Sequence, residues 1–267
     1  MQKKSYPVTN SLKSVETLSI IIAALMAAAS LSALLFPAAL YASEETRQAM
    51  LTNDVVNLVI GVPTIIACLL LHRRERLIGL LFWPGALLYV TYNSLAATVA
   101  FPSWFLFIVH LTLTALSTAA LALLLPRMDM PAIKKRLAGK VPERFAGTVL
   151  ALFGVAFFFL ALSILFGGET GRSEIATATA DLVVAPFWTV SGIQLLRRKP
   201  FGYALGAGML FHAATLFIGL LIYFFLQPLV AGVPFPLEDF IVIVPMALLC
   251  FVPFGLFVRG LLRKSSH

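Results

Sequence analysis

Charge is what this sequence has least of. Asp, Glu, Lys and Arg supply 12% of its 267 residues, about half the share expected of a soluble domain, so they cannot cover a water-facing surface. Cysteine is nearly absent as well. Cys68 and Cys250 both sit inside apolar runs, which excludes a disulfide framework and reads them as buried apolar fillers. No Gly-rich phosphate loop, HExxH pair, paired acidic motif of polyprenyl transferases, nucleophile elbow or intramembrane lysine suited to retinal occurs, so no motif names a reaction. The polar/apolar alternation of barrel strands is missing too, which leaves helices as the means of satisfying the backbone in lipid.

What is present is apolar: 60% hydrophobic residues and a mean hydropathy of +0.95. Runs of about 20 such residues, each able to span a hydrocarbon core of about 30 Å, recur along the chain. The pattern predicts an all-α, polytopic integral membrane bundle of about eight transmembrane helices. Their expected limits are 17–41, 54–72, 77–99, 104–125, 145–167, 176–196, 201–227 and 238–260. The third is the least regular, with Pro84 and Gly85 inside it and Tyr89, Thr91, Tyr92 and Asn93 toward its end. The first follows lysines and ends in "AALYAS", which resembles a signal cleavage site. Its run exceeds the roughly 7 to 15 residues of a signal core and predicts a retained helix.

Orientation comes from the basic residues. Every Lys and Arg except Arg47 and Arg172 falls in the N-terminal segment, in the turn carrying Arg73, Arg74 and Arg76, in the 126–144 linker, in the turn carrying Arg197, Arg198 and Lys199, or in the C-terminal segment. An eight-helix path places all of these on one side. The positive-inside rule then predicts a plasma-membrane protein with both termini cytoplasmic. Glu44, Glu45, Asp54, Glu169, Glu174, Asp181, Glu238 and Asp239 fall toward the outer side. The net charge of +8 is thus a topology signal, with anionic inner-leaflet headgroups and not nucleic acid as its partners.

Two stretches are alike. "LLHRRERLIGLLFWPGALLY" aligns with "QLLRRKPFGYALGAGMLFH", matching Arg73 and Arg74 to Arg197 and Arg198. Allowing one gap, Pro63 meets Pro186, Gly79 meets Gly202, Gly85 meets Gly208, Leu87 meets Leu210, Tyr89 meets His212 and Asn57 meets Asp181. The expectation is a parallel four-plus-four duplication about an axis normal to the membrane. Residues 1–125 would form the first half, 126–144 a basic cytoplasmic linker and 145–267 the second half. Hydrophobic hairpins with positive inner loops also look alike without common descent. Within the linker, Ile133, Leu137 and Val141 recur every four residues among lysines, the pattern of a short amphipathic helix at the inner headgroups or of a solvated connection. The Gly202-x-x-x-Gly206 spacing suits close helix packing.

Depth turns scattered polar residues into a candidate site. Counted from the bases of the same crossing at about 1.5 Å per residue, Asn57, Tyr92, His110 and Asp181 lie about 24–25 Å up, His212 about 20 Å and Asp54 about 28 Å. Helical phase groups Asp54 with Asn57, His110 with Thr114 and Ser117, and His212 with Thr215. Unpaired polar groups facing lipid are costly, so Asp54, Asn57, Tyr89, Tyr92, His110, Asp181, His212 and Thr215 are the candidate lining of an outward-facing polar pocket. Each has a plainer reading. Asp54 could cap its helix, the histidines could be packing residues, and Tyr89 and Tyr92 could belong to the outer aromatic belt. Asp181 and His212 could pair directly as a charged couple; a haem held by His110 and His212 is geometrically conceivable and has no further support.

Through "DVVNLVIGVP", "RRERLIGLLFWPGALLYVTYN" and "LLRRKPFGYALGAGML", the chain resembles an uncharacterised family of multi-pass membrane proteins of bacteria and archaea. The resemblance implies a membrane bundle and carries no activity. Small-molecule or ion binding and transport is the favoured expectation, beside an enzyme acting on a lipid or quinone through Asp181 and His212, and beside an accessory subunit. Cofactors, ligand identity and oligomeric state stay unassigned. The topology generates a direct test: a Gly171→Cys variant should react with an impermeant maleimide in intact cells and Ala138→Cys only after lysis, with the native cysteines unreactive in both.

Overall fold

The computed structural model describes residues 6–41, 43–168 and 170–262. Lys3, Lys4, Glu169, Arg263 and Lys264, used above for orientation, lie outside the described residues, as does the side chain of Glu45. Helix α1 (Lys13–Leu35) stops at Phe36, ahead of Pro37 and the short α2 (Pro37–Leu40), because the residue before a proline is pushed out of the helical region. Helix α3 (Glu44–Val56) begins at Ser43, whose Oγ accepts from the Thr46 amide at 3.1 Å. The cap of this helix is therefore Ser43, and Asp54 is not one. A π turn, Asn57–Gly61, joins α3 to α4 (Val62–Arg73). Pro63 explains it: the ring has no N–H to donate and would strike the carbonyl four residues earlier, and a widened turn removes both problems.

Then follow α5 (Leu77–Ala100), α6 (Trp104–Leu124), α7 (Met130–Leu137), α8 (Glu143–Phe166), α9 (Arg172–Leu196), α10 (Pro200–Val230) and α11 (Leu237–Leu262). The result is a polytopic helical bundle. Among the described residues, seven helices are long and apolar enough to cross a membrane, with α3, the π turn and α4 forming one of them. The expected count of eight is not confirmed by this measure, because α5 is not among the seven. Its 24 residues span about 36 Å, so length is not what it lacks. Trp83, Pro84, Gly85, Tyr89, Tyr92 and Asn93 dilute its apolar character, and every residue from Gly79 to Thr91 is buried by protein.

Helices α5 and α10 cross at the centre. A Cβ on Gly85 would lie 2.1 Å from the Gly208 carbonyl oxygen, and one on Gly208 would lie 3.0 Å from that of Leu81. Beside this contact Phe82 stacks on Phe211 with centroids 4.4 Å apart. Helices α4 and α6 pack on α5, and α9 and α11 on α10; α1 packs on α4 and α6, and α8 on α9 and α11. The outermost helices α8 and α11 bury 22% of their apolar windows against 50% for α10. They present residues such as Leu152, Phe159, Ile241 and Leu248 outward, as lipid-facing helices do.

The two basic turns share one geometry. After α4, Glu75 takes φ 52° and the amides of Glu75, Arg76 and Gly79 donate to the carbonyls of His72, Leu71 and Arg76 at 2.8, 2.9 and 3.0 Å. After α9, Arg198 takes φ 51° and the amides of Arg198, Lys199 and Gly202 donate to Leu195, Gln194 and Lys199 at 2.9, 2.9 and 3.0 Å. Both are left-handed helix terminations built without glycine at the strained position. Gly79 and Gly202 are needed by the turns themselves, since a Cβ on either would come within 2.5 and 2.2 Å of the backbone nitrogens of His72 and Leu195. One turn on, a Cβ on Gly206 would lie 3.2 Å from the Leu195 side chain, so Gly202 and Gly206 both face the end of α9.

At the same end the chain straps itself together. Val8 and Met128 form an antiparallel bridge, flanked by Thr9 N–H to Arg127 O and Asp129 N–H to Pro7 O, both 2.9 Å. The Tyr6 hydroxyl is hydrogen-bonded to His72 Nδ1 at 2.8 Å, and Arg73 Nε donates to Glu16 Oε2 at 2.9 Å. Burial, seconded by the charge of Glu75, pushes the Tyr6 hydroxyl above its usual range. The amphipathic linker helix exists as α7, but Ile133, Leu137 and the following Val141 are buried in the bundle core beneath α10. Its apolar face is satisfied by protein and not by headgroups.

The central contact makes a stability prediction. Gly85→Ala must push two backbones apart and should cost about 1–3 kcal/mol, the range for overpacking. Gly255→Ala, whose added Cβ meets nothing within 4 Å, should change stability by less than about 0.5 kcal/mol. Unfolding of the detergent-purified proteins reads both.

Candidate functional site

A cavity of about 350 Å³ lies between α3, α5, α9 and α10. Its lining descends along α5 from Ala100 to Tyr89, along α9 from Ser173 to Trp188 and along α10 from Tyr223 to Leu216. All three paths run from the end opposite the basic turns toward the Gly85–Gly208 contact. The cavity thus opens at the end remote from Arg73, Arg76, Arg197 and Lys199, and its floor rests on the α5–α10 crossing.

The floor is aromatic. Trp188 Nε1 donates to His212 Nδ1 at 3.0 Å, so that nitrogen is an acceptor and the proton of the neutral ring belongs on Nε2. His212 Nε2 is buried without a hydrogen-bond partner. The Tyr92 ring meets His212 edge-on at a centroid distance of 6.2 Å, and its hydroxyl lies beside the half-buried Asp181 carboxylate. Tyr92 therefore links the acid and the imidazole. The directly paired, charged Asp181–His212 couple expected from their depth does not form: an imidazolium would lose the Trp188 bond, and the Asp181 partner is a phenol. Tyr89 is wedged between Gly61, where a Cβ would lie 2.9 Å from its ring, and Gly219, where one would lie 3.5 Å from its hydroxyl. At the mouth the Tyr223 hydroxyl donates to the Ala49 carbonyl at 3.3 Å, joining α10 to α3.

Of the residues singled out in sequence, Tyr89, Tyr92 and Asp181 line the cavity. His212 and Thr215 stand just behind the wall, buried, with the Thr215 hydroxyl donating to the Phe211 carbonyl at 2.8 Å. Asp54 is buried elsewhere and accepts from the Tyr41 hydroxyl. Asn57 lies in the π turn with its Oδ1 unpartnered, and His110 is buried on α6 with its Nδ1 unpartnered. Sequence reasoning missed Asn53, Asn93, Thr177 and Trp188 in the lining. Asn53 and Asn93 were within reach, each four residues from a candidate on the same helical face. Trp188 carried no such signal, because an indole in an apolar run reads as packing. Outside the membrane-spanning segments, a hydrogen bond from Arg47 holds the exposed Glu44 carboxylate below its usual range. Among the described residues, no three His, Cys, Asp or Glu side chains cluster as metal ligands.

Wall positions come in matched pairs. The interval separating Gly85 from Gly208 also carries Asn93, Ala96, Ala97 and Ala100 onto Leu216, Gly219, Leu220 and Tyr223, and all of these line the cavity. One residue more carries Ala49 onto Ser173 and Asn53 onto Thr177, which line it from α3 and α9.

These features define a multi-pass α-helical membrane protein with a central cavity. Comparison of the chain with known protein families, curated proteins and solved structures finds no match, so its function is argued from the site.

Because Tyr92 mediates between acid and imidazole, the pairwise energies should be ordered. Asp181→Asn with Tyr92→Phe should show a coupling on the order of 0.5–3 kcal/mol in a double-mutant cycle. Asp181→Asn with His212→Gln should be closer to additive, as read by unfolding of the purified protein.

Proposed function

We propose that the protein binds a small molecule in this cavity from the outer side of the plasma membrane and takes part in its transport. The observation that carries the reading is a half-buried carboxylate, Asp181, on the wall of a cavity of about 350 Å³ inside an otherwise apolar bundle. The volume falls within the roughly 300–1,000 Å³ of small-molecule sites. An ionisable side chain at such depth is costly unless it has work to do.

The matched wall positions and the shared turn geometry support a parallel duplication, with 1–125 and 145–267 as halves joined by 126–144. The cavity would then sit on the axis relating them, where transporters built from repeats place their substrates. The basic turns at the closed end, read with the positive-inside rule, support a topology with both termini cytoplasmic and the mouth outside. Catalysis on a lipid or quinone loses support because Asp181 and His212 do not meet.

The reading is tested by entry of a neutral solute. Trp188 forms the cavity floor, whereas Trp83 is sealed with its Nε1 on Ser19 Oγ at 2.9 Å. In a Trp104→Phe background, acrylamide should therefore quench fluorescence through Trp188. Adding Ala96→Phe, which fills the cavity, should remove most of that quenching. Identical quenching of the two proteins would mean that the cavity does not admit small solutes.

A further inference from the structure

The geometry points to a lipophilic organic cation, an amine or quaternary ammonium, as the ligand class of the cavity, with Asp181 as its counter-ion. The inference rests on the small-molecule reading above and deepens it. Among the described residues, Asp181 is the one charged member of the lining, which holds no Lys, Arg or His. An anion would meet a carboxylate with nothing to offset it. A neutral ligand would cover that carboxylate and strip its water without giving it a partner beyond the Tyr92 hydroxyl. A small inorganic cation would need about six oxygen ligands, and most of the wall is apolar.

An organic cation satisfies both parts of the wall at once. Its charge meets Asp181, and its alkyl or aryl body meets the rings of Tyr89, Tyr92, Phe157, Trp188 and Tyr223, whose faces attract a cation within about 6 Å of the centroid. The surroundings agree: Glu174 stands next to Ser173 at the mouth, and the acids Glu44, Glu238 and Asp239 lie at the same end. Arg47 is neutralised there by its ion pair with Glu44, which leaves Arg172 as the remaining base.

The test uses the full-length protein with a thiol placed in the wall by Ala96→Cys, one turn above Tyr92. The native Cys68 and Cys250 are buried. Labelling rates are measured for two impermeant probes, trimethylammonium-ethyl and sulfonatoethyl methanethiosulfonate, each divided by its rate with a free thiol in solution. After this correction the cationic probe should be faster by about tenfold, the low end of electrostatic focusing in a cleft. Asp181→Asn should bring the corrected ratio close to one. Asn53→Asp, a near-isosteric change that adds a second carboxylate on the facing helix, should raise it, and so tests the charge argument even if Asp181→Asn does not fold. Equal corrected rates, or a preference that neither substitution alters, would overturn the cation assignment while leaving a solute-accessible cavity. Failure of both probes to label would remove the small-molecule reading itself.

Discussion

The bundle is organised by two backbones that touch. With no side chain between Gly85 and Gly208, α5 and α10 approach as closely as helices can, and from that point they must diverge in both directions. What fills the divergence differs at the two ends. Around the contact and down to the basic turns the space is filled: Phe82 stacks on Phe211, Phe254 leans on both at 5.6 and 6.0 Å, and Leu80, Leu81, Tyr203 and Leu205 are buried. Toward the other end the facing positions are Ala96, Ala97, Ala100 and Gly219, too small to close the gap. Solid packing below and a cavity above are two outcomes of one crossing, decided by side-chain volume.

The same contact explains why the polar groups are tolerable. Tyr92 and Asp181 lie where the helices have parted enough for solvent or a ligand to reach them, whereas His212 and Trp188, nearer the crossing, must satisfy one another. A gradient from enclosed to reachable polarity runs up the wall. Tyr92 spans it, with its ring on the closed side and its hydroxyl on the open side.

Much of this was legible in the chain. Basic clusters marked one end of the bundle, and Gly79, Gly85, Gly202 and Gly208 aligned because each is fixed by a backbone approach that tolerates no Cβ. Helix ends at prolines and serines were less legible: α3 begins well before the apolar run at Asp54 because a polar amphipathic stretch can be helical when its neighbours supply the burial. The site was legible by depth and not by direction. His110, Asn57 and Asp54 share the layer of Asp181, yet their rotation about the helix axis points them elsewhere, and a bend or bulge upstream is enough to change that rotation. Likewise Ile133 and Leu137 announced an apolar face on α7 without saying that α10 would cover it.

The π turn at Asn57–Gly61 shows how much one residue can decide. The turns pair Glu75 with Arg198, so Arg74 and not Arg73 meets Arg197. On that register Pro63 still meets Pro186, and a one-residue shift is needed between Asn57 and Pro63. The turn that accommodates a surplus residue, with Val62 N–H reaching back to the Asn57 carbonyl, falls in that interval. No such turn interrupts α9. One extra residue rotates everything upstream by about 100° relative to an unbroken helix, so the face that α3 turns toward the cavity is set by the π turn as much as by its own sequence. Asn53 looks across at α9, while Asp54 is carried round to Tyr41 and away from the cavity. Without the bulge the wall opposite Asp181 would be drawn from different residues of α3. Which wall of the chamber carries charge is thus a matter of helical phase.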